Sequence, residues 1–153
     1  MTVERIYSPE EFYPLTEGPA GRNYHQIAIA EGQRQVYIAG TVAKNEDGKL
    51  VGVGDMATQV KKTAENLGKS LEAAGAEPAD VVRADFYTPE VDDYLEEGHH
   101  HFVEFLGEEN VPPGSILGVT RLADTFAEVA EGEPEDVEPR YLIEIDMIAV
   151  VDE

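Results

Sequence analysis

Two carboxylates set two residues apart inside an apolar run are the first candidates for chemistry. Glu144 and Asp146 lie within Tyr141–Val151, YLIEIDMIAVV. On a strand such a spacing puts both side chains on one face. Flanked by Ile143, Ile145 and Ile148, Glu144 is expected in a pocket. There burial would raise its pKa and fit it to orient or activate a water molecule. The competing reading makes both residues ordinary members of an acidic surface. His99, His100 and His101 are consecutive. Neighbours on a helix stand about 100° apart, so the three cannot all bind one ion. His99 falls on an apolar stripe and reads as a core or cleft histidine. A zinc site drawn from one histidine with His25, Glu144 or Asp146 would have suitable donors, but no H-E-x-x-H spacing supports it. No metal and no cofactor are assigned. Ser115 has no partnered histidine in an obvious arrangement and is not read as a nucleophile. With no cysteine in the chain, a thiolate, a disulfide and a cysteine metal site are excluded.

The elements that must position these groups follow from punctuation and periodicity. Residues 1–23 read as an extended, loop-like lead-in broken by Pro9, Pro14, Gly18, Pro19 and Gly21. Tyr24–Ala30 and Gln35–Ala43, joined by a turn at Glu31–Arg34, read as a β-hairpin. Asp55 is a candidate N-cap for an amphipathic helix carrying Met56, Val60, Thr63, Ala64, Leu67, Leu71 and Ala74, closed by Gly75. Val81–Tyr87 is a strand. A second helix is expected over Val91–Leu106, capped by Asp92 or Asp93, with Leu95, His99, Phe102 and Leu106 on its stripe and Gly107 at its end. Ser115–Leu122 and Tyr141–Val151 are the last strands. Residues 124–139 form an acidic insertion, either a solvated loop or a short amphipathic helix with a loop. The result is one α+β domain over residues 1–153, a mixed sheet with two helices on one face. In the last strand both faces are largely apolar, with Leu142, Ile148 and Val150 opposite Tyr141, Ile143, Ile145 and Met147. A neighbouring subunit is therefore the expected cover for the second face.

The bulk composition narrows the partners. Thirty-two acidic residues against 11 basic ones give a net charge of -21 at pH 7. Because the excess is dispersed, it reads as solvation in a high-salt cytosol, as in halophiles, where salt screens self-repulsion. The alternative is a basic partner or cationic ligand. Either way the surface repels phosphate backbones, and nucleic acid is not an expected partner. No apolar run approaches the length that crosses a membrane. The N-terminal segment has no apolar signal-peptide core, and a cytoplasmic location is expected.

Val111–Ala123, VPPGSILGVTRLA, carries a family resemblance. The frame Pro112-Pro113-Gly114-Ser115, then Arg121-Leu122, resembles the Pro-x-Arg-Ser segment and following Arg-Leu of the RidA family, also called YjgF or UK114 and historically endoribonuclease L-PSP. Ile38-Ala39-Gly40, Gln59, Asn66-Leu67, Ala73-Ala74-Gly75, Asp80-Val81-Val82, Asp93-Tyr94, Phe102 and Ile143–Val150 are similar to the family's other segments, in the same order. The resemblance covers about Tyr24 to Val151. It implies a chorismate-mutase-like fold and a homotrimer with clefts between subunits.

RidA-type members hydrolyse reactive imines and enamines such as 2-aminoacrylate. The resemblance implies Glu144 as the residue placing water, with Tyr24 and Gly40 lining the cleft. His99 lies near the family's polar cleft residue in the second helix. The family's carboxylate-binding arginine corresponds to Gly114, so that clamp is missing or supplied from elsewhere; Arg140, just before the last strand, is the candidate substitute. Arg121 is read as a structural ion-pair residue. The implied activity is that of a deaminase or hydrolase of an imine-like small molecule. The alternative is a non-catalytic ligand-binding or chaperone-like module. Ribonuclease activity is the reading the charge disfavours most.

Overall fold

The computed structural model describes residues 2–15 and 17–152. In chain order the strands are β1 (Thr2–Ile6), β2 (Glu17–Gly18), β3 (Gly21–Arg22), β4 (Ile27–Glu31), β5 (Arg34–Thr41), β6 (Val81–Thr88), β7 (Ile116–Gly118) and β8 (Glu144–Val151). The helices are α1 (Met56–Ala73), α2 (Val91–Glu97) and α3 (His99–Leu106). The main sheet has the order β5-β8-β6-β7. Its central strand β8 runs antiparallel to both β5 and β6, and β7 runs parallel to β6. The fold is the expected α+β class, with the helices on one face of a mixed sheet.

Helix α1 forms where cap, stripe and stop agree. The Asp55 carboxylate accepts the Thr58 backbone N–H at 3.0 Å. Val60, Ala64, Leu67 and Leu71 are buried. Gly75 adopts φ +71°, and the Gly75 and Ala76 N–H groups donate to the carbonyls of Glu72 and Leu71 at 3.0 and 2.8 Å, a Schellman stop. Against this helix and α3, β8 turns Ile145, Met147, Ala149 and Val151 inward, with Phe102, Val103 and Leu106. Apart from Ala149, each of these buried side chains contributes about 1.5–3 kcal/mol of transfer free energy. A smaller cluster of Leu50, Val53, Leu122 and Tyr141 sits apart from it.

Several expectations are corrected. The lead-in is not a loop throughout: β1 pairs antiparallel with β4, Val3 opposite Ala30. The expected hairpin does not form, because β4 pairs with β1 while β5 joins β8. The second helix is two, parted at Gly98. A Cβ there would lie 3.0 Å from the Tyr94 carbonyl and from Val60 Cγ2, so close packing against α1 leaves room only for glycine. Its N-cap is Glu90, with Asp92 and Asp93 in the first turn. Leu95 is exposed and Tyr94 takes its place in the core. The fourth expected strand shrinks to β7. Residues 124–139 form no helix but are pinned: Ala130 N–H donates to the Leu50 carbonyl at 2.9 Å, and the Glu133 carboxylate accepts the Gly52 and Val53 N–H groups at 3.1 and 2.8 Å. Among the described residues no helix is long and apolar enough to cross a membrane.

Candidate functional site

The sheet face turned away from the helices carries the polar chemistry. Glu144 opposes Tyr87, and Asp146 opposes Asp85, across the β6–β8 ladder. Tyr37 opposes Ile148 on the same face and is 70% exposed. The Tyr87 hydroxyl donates to Asp146 Oδ2 at 2.9 Å. Arg83 donates through Nε and Nη2 to Asp85 at 3.0 and 3.1 Å, and the Ser115 N–H adds a bond to the same carboxylate at 2.9 Å. Among the described residues, Glu144 is the one of these three carboxylates that accepts no hydrogen bond.

The space that Glu144 occupies is made by a glycine. The β5 register shifts between Ile38 and Thr41, and Gly40 lies in that irregularity. A Cβ on Gly40 would stand 2.2 Å from Glu144 Oε2 and 3.1 Å from its Cγ. The carboxylate thus lies directly over the Gly40 backbone. Burial, reinforced by the Asp146 charge, raises the Glu144 pKa from its ordinary value. Two side chains fix the chain just before it. Gln59, fully buried, donates to the Gly52 and Arg140 carbonyls at 3.0 and 2.9 Å and accepts the Leu142 N–H at 2.8 Å. The Thr88 hydroxyl donates to the Leu142 carbonyl at 2.6 Å.

Tyr24 and Gly114 meet in a separate pocket of about 220 Å³, with Phe86, Pro112, Ser115 and Ile116. Two histidines secure the chain around Tyr24. His99 donates through Nε2 to the Asn23 carbonyl at 2.9 Å and accepts the Tyr94 hydroxyl at Nδ1, 2.7 Å. His25 donates through Nδ1 to the Val111 carbonyl at 2.7 Å. Burial lowers both histidine pKa values. Both rings are committed to these backbone and side-chain partners, so His99 holds the Tyr24 segment in place, and among the described residues no group of three metal-binding side chains forms around one histidine with His25, Glu144 or Asp146.

The backbone at Gly114 is closely packed. A Cβ there would lie 1.6 Å from the Ala84 carbonyl oxygen, while the Ala84 N–H donates to the Pro113 carbonyl at 3.1 Å. This backbone accepts no side chain at position 114. Arg140 does not take over the role within the chain: its Nη2 donates to Glu138 at 2.9 Å, and it shares a depression with Arg121, not with Glu144. Arg121 is ion-paired to the buried Asp124 at 2.7 Å, and Asp124 also accepts the Tyr141 N–H at 3.3 Å. Sequence reasoning missed Tyr87 and Asp85, although their alternation opposite Ala84 and Phe86 places them on the Glu144 face.

The strand order and one-sided helices define an α+β chain built on a mixed sheet. The sequence profile of the family described as Endoribonuclease L-PSP matches residues 16–131. The conserved Rid-family protein YyfB from Yersinia pestis is 31% identical, covers 99% of this chain and 100% of its own, and superposes with a TM-score of 0.75. RidA from an Antarctic Psychrobacter shares the fold at 21% identity and a TM-score of 0.62, over 99% of each chain. The RutC family protein slr0709 of Synechocystis is 27% identical over 152 residues, 99% of this chain and 98% of its own. The chain belongs to the endoribonuclease L-PSP, or Rid/YjgF, family.

Proposed function

We propose that this protein is a hydrolase of small imines or enamines, working as a homotrimer in clefts that neighbouring subunits close. The observation that carries the reading is the Glu144 carboxylate, seated over Gly40 with a raised pKa and no hydrogen bond from the described residues. Such a group accepts a proton from water as the oxygen adds to the C=N carbon. It returns that proton to nitrogen, giving a carbinolamine; the carbinolamine hydroxyl then passes its own proton to the nitrogen through the same carboxylate as the C–N bond breaks, and ammonia leaves with a carbonyl product. The half-buried face around it, with exposed Tyr37 beside Ile148, supports a subunit as its cover. Tyr24, Gly40 and the Gly114 backbone would line the cleft, and His99 holds the Tyr24 segment in place.

The closed packing at Gly114 bears on substrate. With no guanidinium at that position, an imine bearing a carboxylate loses its bidentate partner. The preferred substrates are therefore imines without an α-carboxylate, unless Arg140 of a neighbouring subunit reaches the cleft. Ammonia release is measured in high salt from imines generated in situ by an amine oxidase and by an amino-acid oxidase. Faster turnover of the first class is expected. Equal or faster turnover of the carboxylated class would show that another cation serves as clamp. A ribonuclease reading has no support from the charge, since -21 opposes a polyanion.

A further inference from the structure

Helix α3 buries His99, Phe102, Val103 and Leu106 against the core. The opposite arc of the helix carries His100, His101 and Glu104. With about 100° per residue, position 104 falls angularly between positions 100 and 101, one turn further along. The two histidines are thus i, i+4 and i, i+3 partners of the same carboxylate, the spacings at which helical side chains meet. Three donors converge here although three consecutive histidines could not. One ligand atom from each residue lies within 4.8 Å of the others. The His100 and His101 rings stand 4.0 Å apart, centre to centre. Among the described residues, the solvent-shielded His100 Nδ1 has no hydrogen-bond partner.

We infer that His100, His101 and Glu104 bind a divalent first-row transition-metal ion, of the zinc, nickel or cobalt kind, on the outer face of α3. Two imidazoles and one carboxylate are a donor set suited to such ions. Rotation of the exposed Glu104 side chain brings its oxygen toward the roughly 2.0–2.2 Å that zinc requires. Water completes the coordination at this open surface. Glu97 of α2 also faces His101 and favours a cation, while Lys61 of α1 opposes it. The surrounding charge of -21 draws cations to the chain. The site lies on the helical side of the sheet, away from Glu144, and does not depend on the proposed hydrolysis.

The test is calorimetric titration of the chelator-stripped, full-length protein with zinc chloride in high salt, which screens loose binding to surface carboxylates. One ion per chain is expected. His100→Gln with His101→Gln should weaken binding at least ~10-fold, and Glu104→Gln should weaken it less. Because these side chains lie off the core, circular dichroism should show unchanged metal-free melting. In the wild type, zinc should shift the ring-proton NMR signals of His100 and His101 and leave those of His25 in place. Zinc binding that persists undiminished in the double variant, saturation absent in the wild type, or ring shifts absent at His100 and His101 would overturn the inference.

Discussion

Gly40 and Glu144 form a pair in which the absent Cβ of one leaves room for the carboxylate of the other. Gly40→Ala should therefore push the Glu144 carboxylate aside while the fold survives, since the nearest atoms belong to a flexible side chain. Its loss of turnover should approach that of Glu144→Gln, with an unchanged melting curve; normal turnover in Gly40→Ala would separate the glycine from the chemistry. Burial is the first cause of the raised Glu144 pKa and the Asp146 charge the second. Asp146→Asn removes the second, so the acidic limb of the pH–rate profile should move to lower pH without vanishing. By contrast, Gly114→Arg is not a clean way to restore a carboxylate clamp. The Ala84 carbonyl stands where its Cβ would be, and reduced stability is the expected result.

At the scale of elements, the buried amide of Gln59 ties α1 to the segment entering β8. Gln59→Leu leaves backbone groups of Gly52, Arg140 and Leu142 unpaired. A loss of about 2–4 kcal/mol is expected, read as a lower denaturant midpoint, together with lower turnover through Glu144. His25 and His99 predict a pH dependence of their own. Burial depresses both folded-state pKa values, so the unfolded chain binds more protons. Their contribution is complete above the ordinary histidine value of about 6.5 and is lost as pH falls from there through the folded-state values. The melting temperature should drop over that window, and His99→Gln should flatten part of the drop.

How far the elements were legible depends on whether their causes are local. Helix α1 announces itself through Asp55, its apolar stripe and Gly75, and β8 through its alternation. The partner of β4 was not legible, because the proline and glycine punctuation after Ile6 masks a five-residue strand whose pairing is settled by the chain's return. The break at Gly98 is also tertiary: it arises where Val60 and the Tyr94 carbonyl leave no room for a Cβ. At the site, Glu144 was legible from its apolar flanks. His99 was legible as buried, but its commitment to Tyr94 and Asn23 belongs to three-dimensional packing. The same holds for the contact of Gly114 with Ala84.

For the whole molecule, a charge of -21 on 153 residues means repulsion within each chain and between chains. Added salt screens it, with a Debye length of about 3 Å at 1 M. Melting temperature should therefore rise with sodium chloride. The uncovered face around Tyr37, Ile148 and Val150 should assemble most fully at high salt, giving three chains by light scattering; a monomer in molar salt would remove the cover that the cleft needs. The role of Glu144 in placing the attacking water is open to a simple assay. Ammonia release from an imine generated in situ is compared in molar salt for the wild type and Glu144→Gln. Wild-type release well above the spontaneous rate is expected, with a loss on the order of 100-fold in the variant and assembly intact. Wild-type release at the spontaneous rate, or a variant as fast as the wild type, would contradict it.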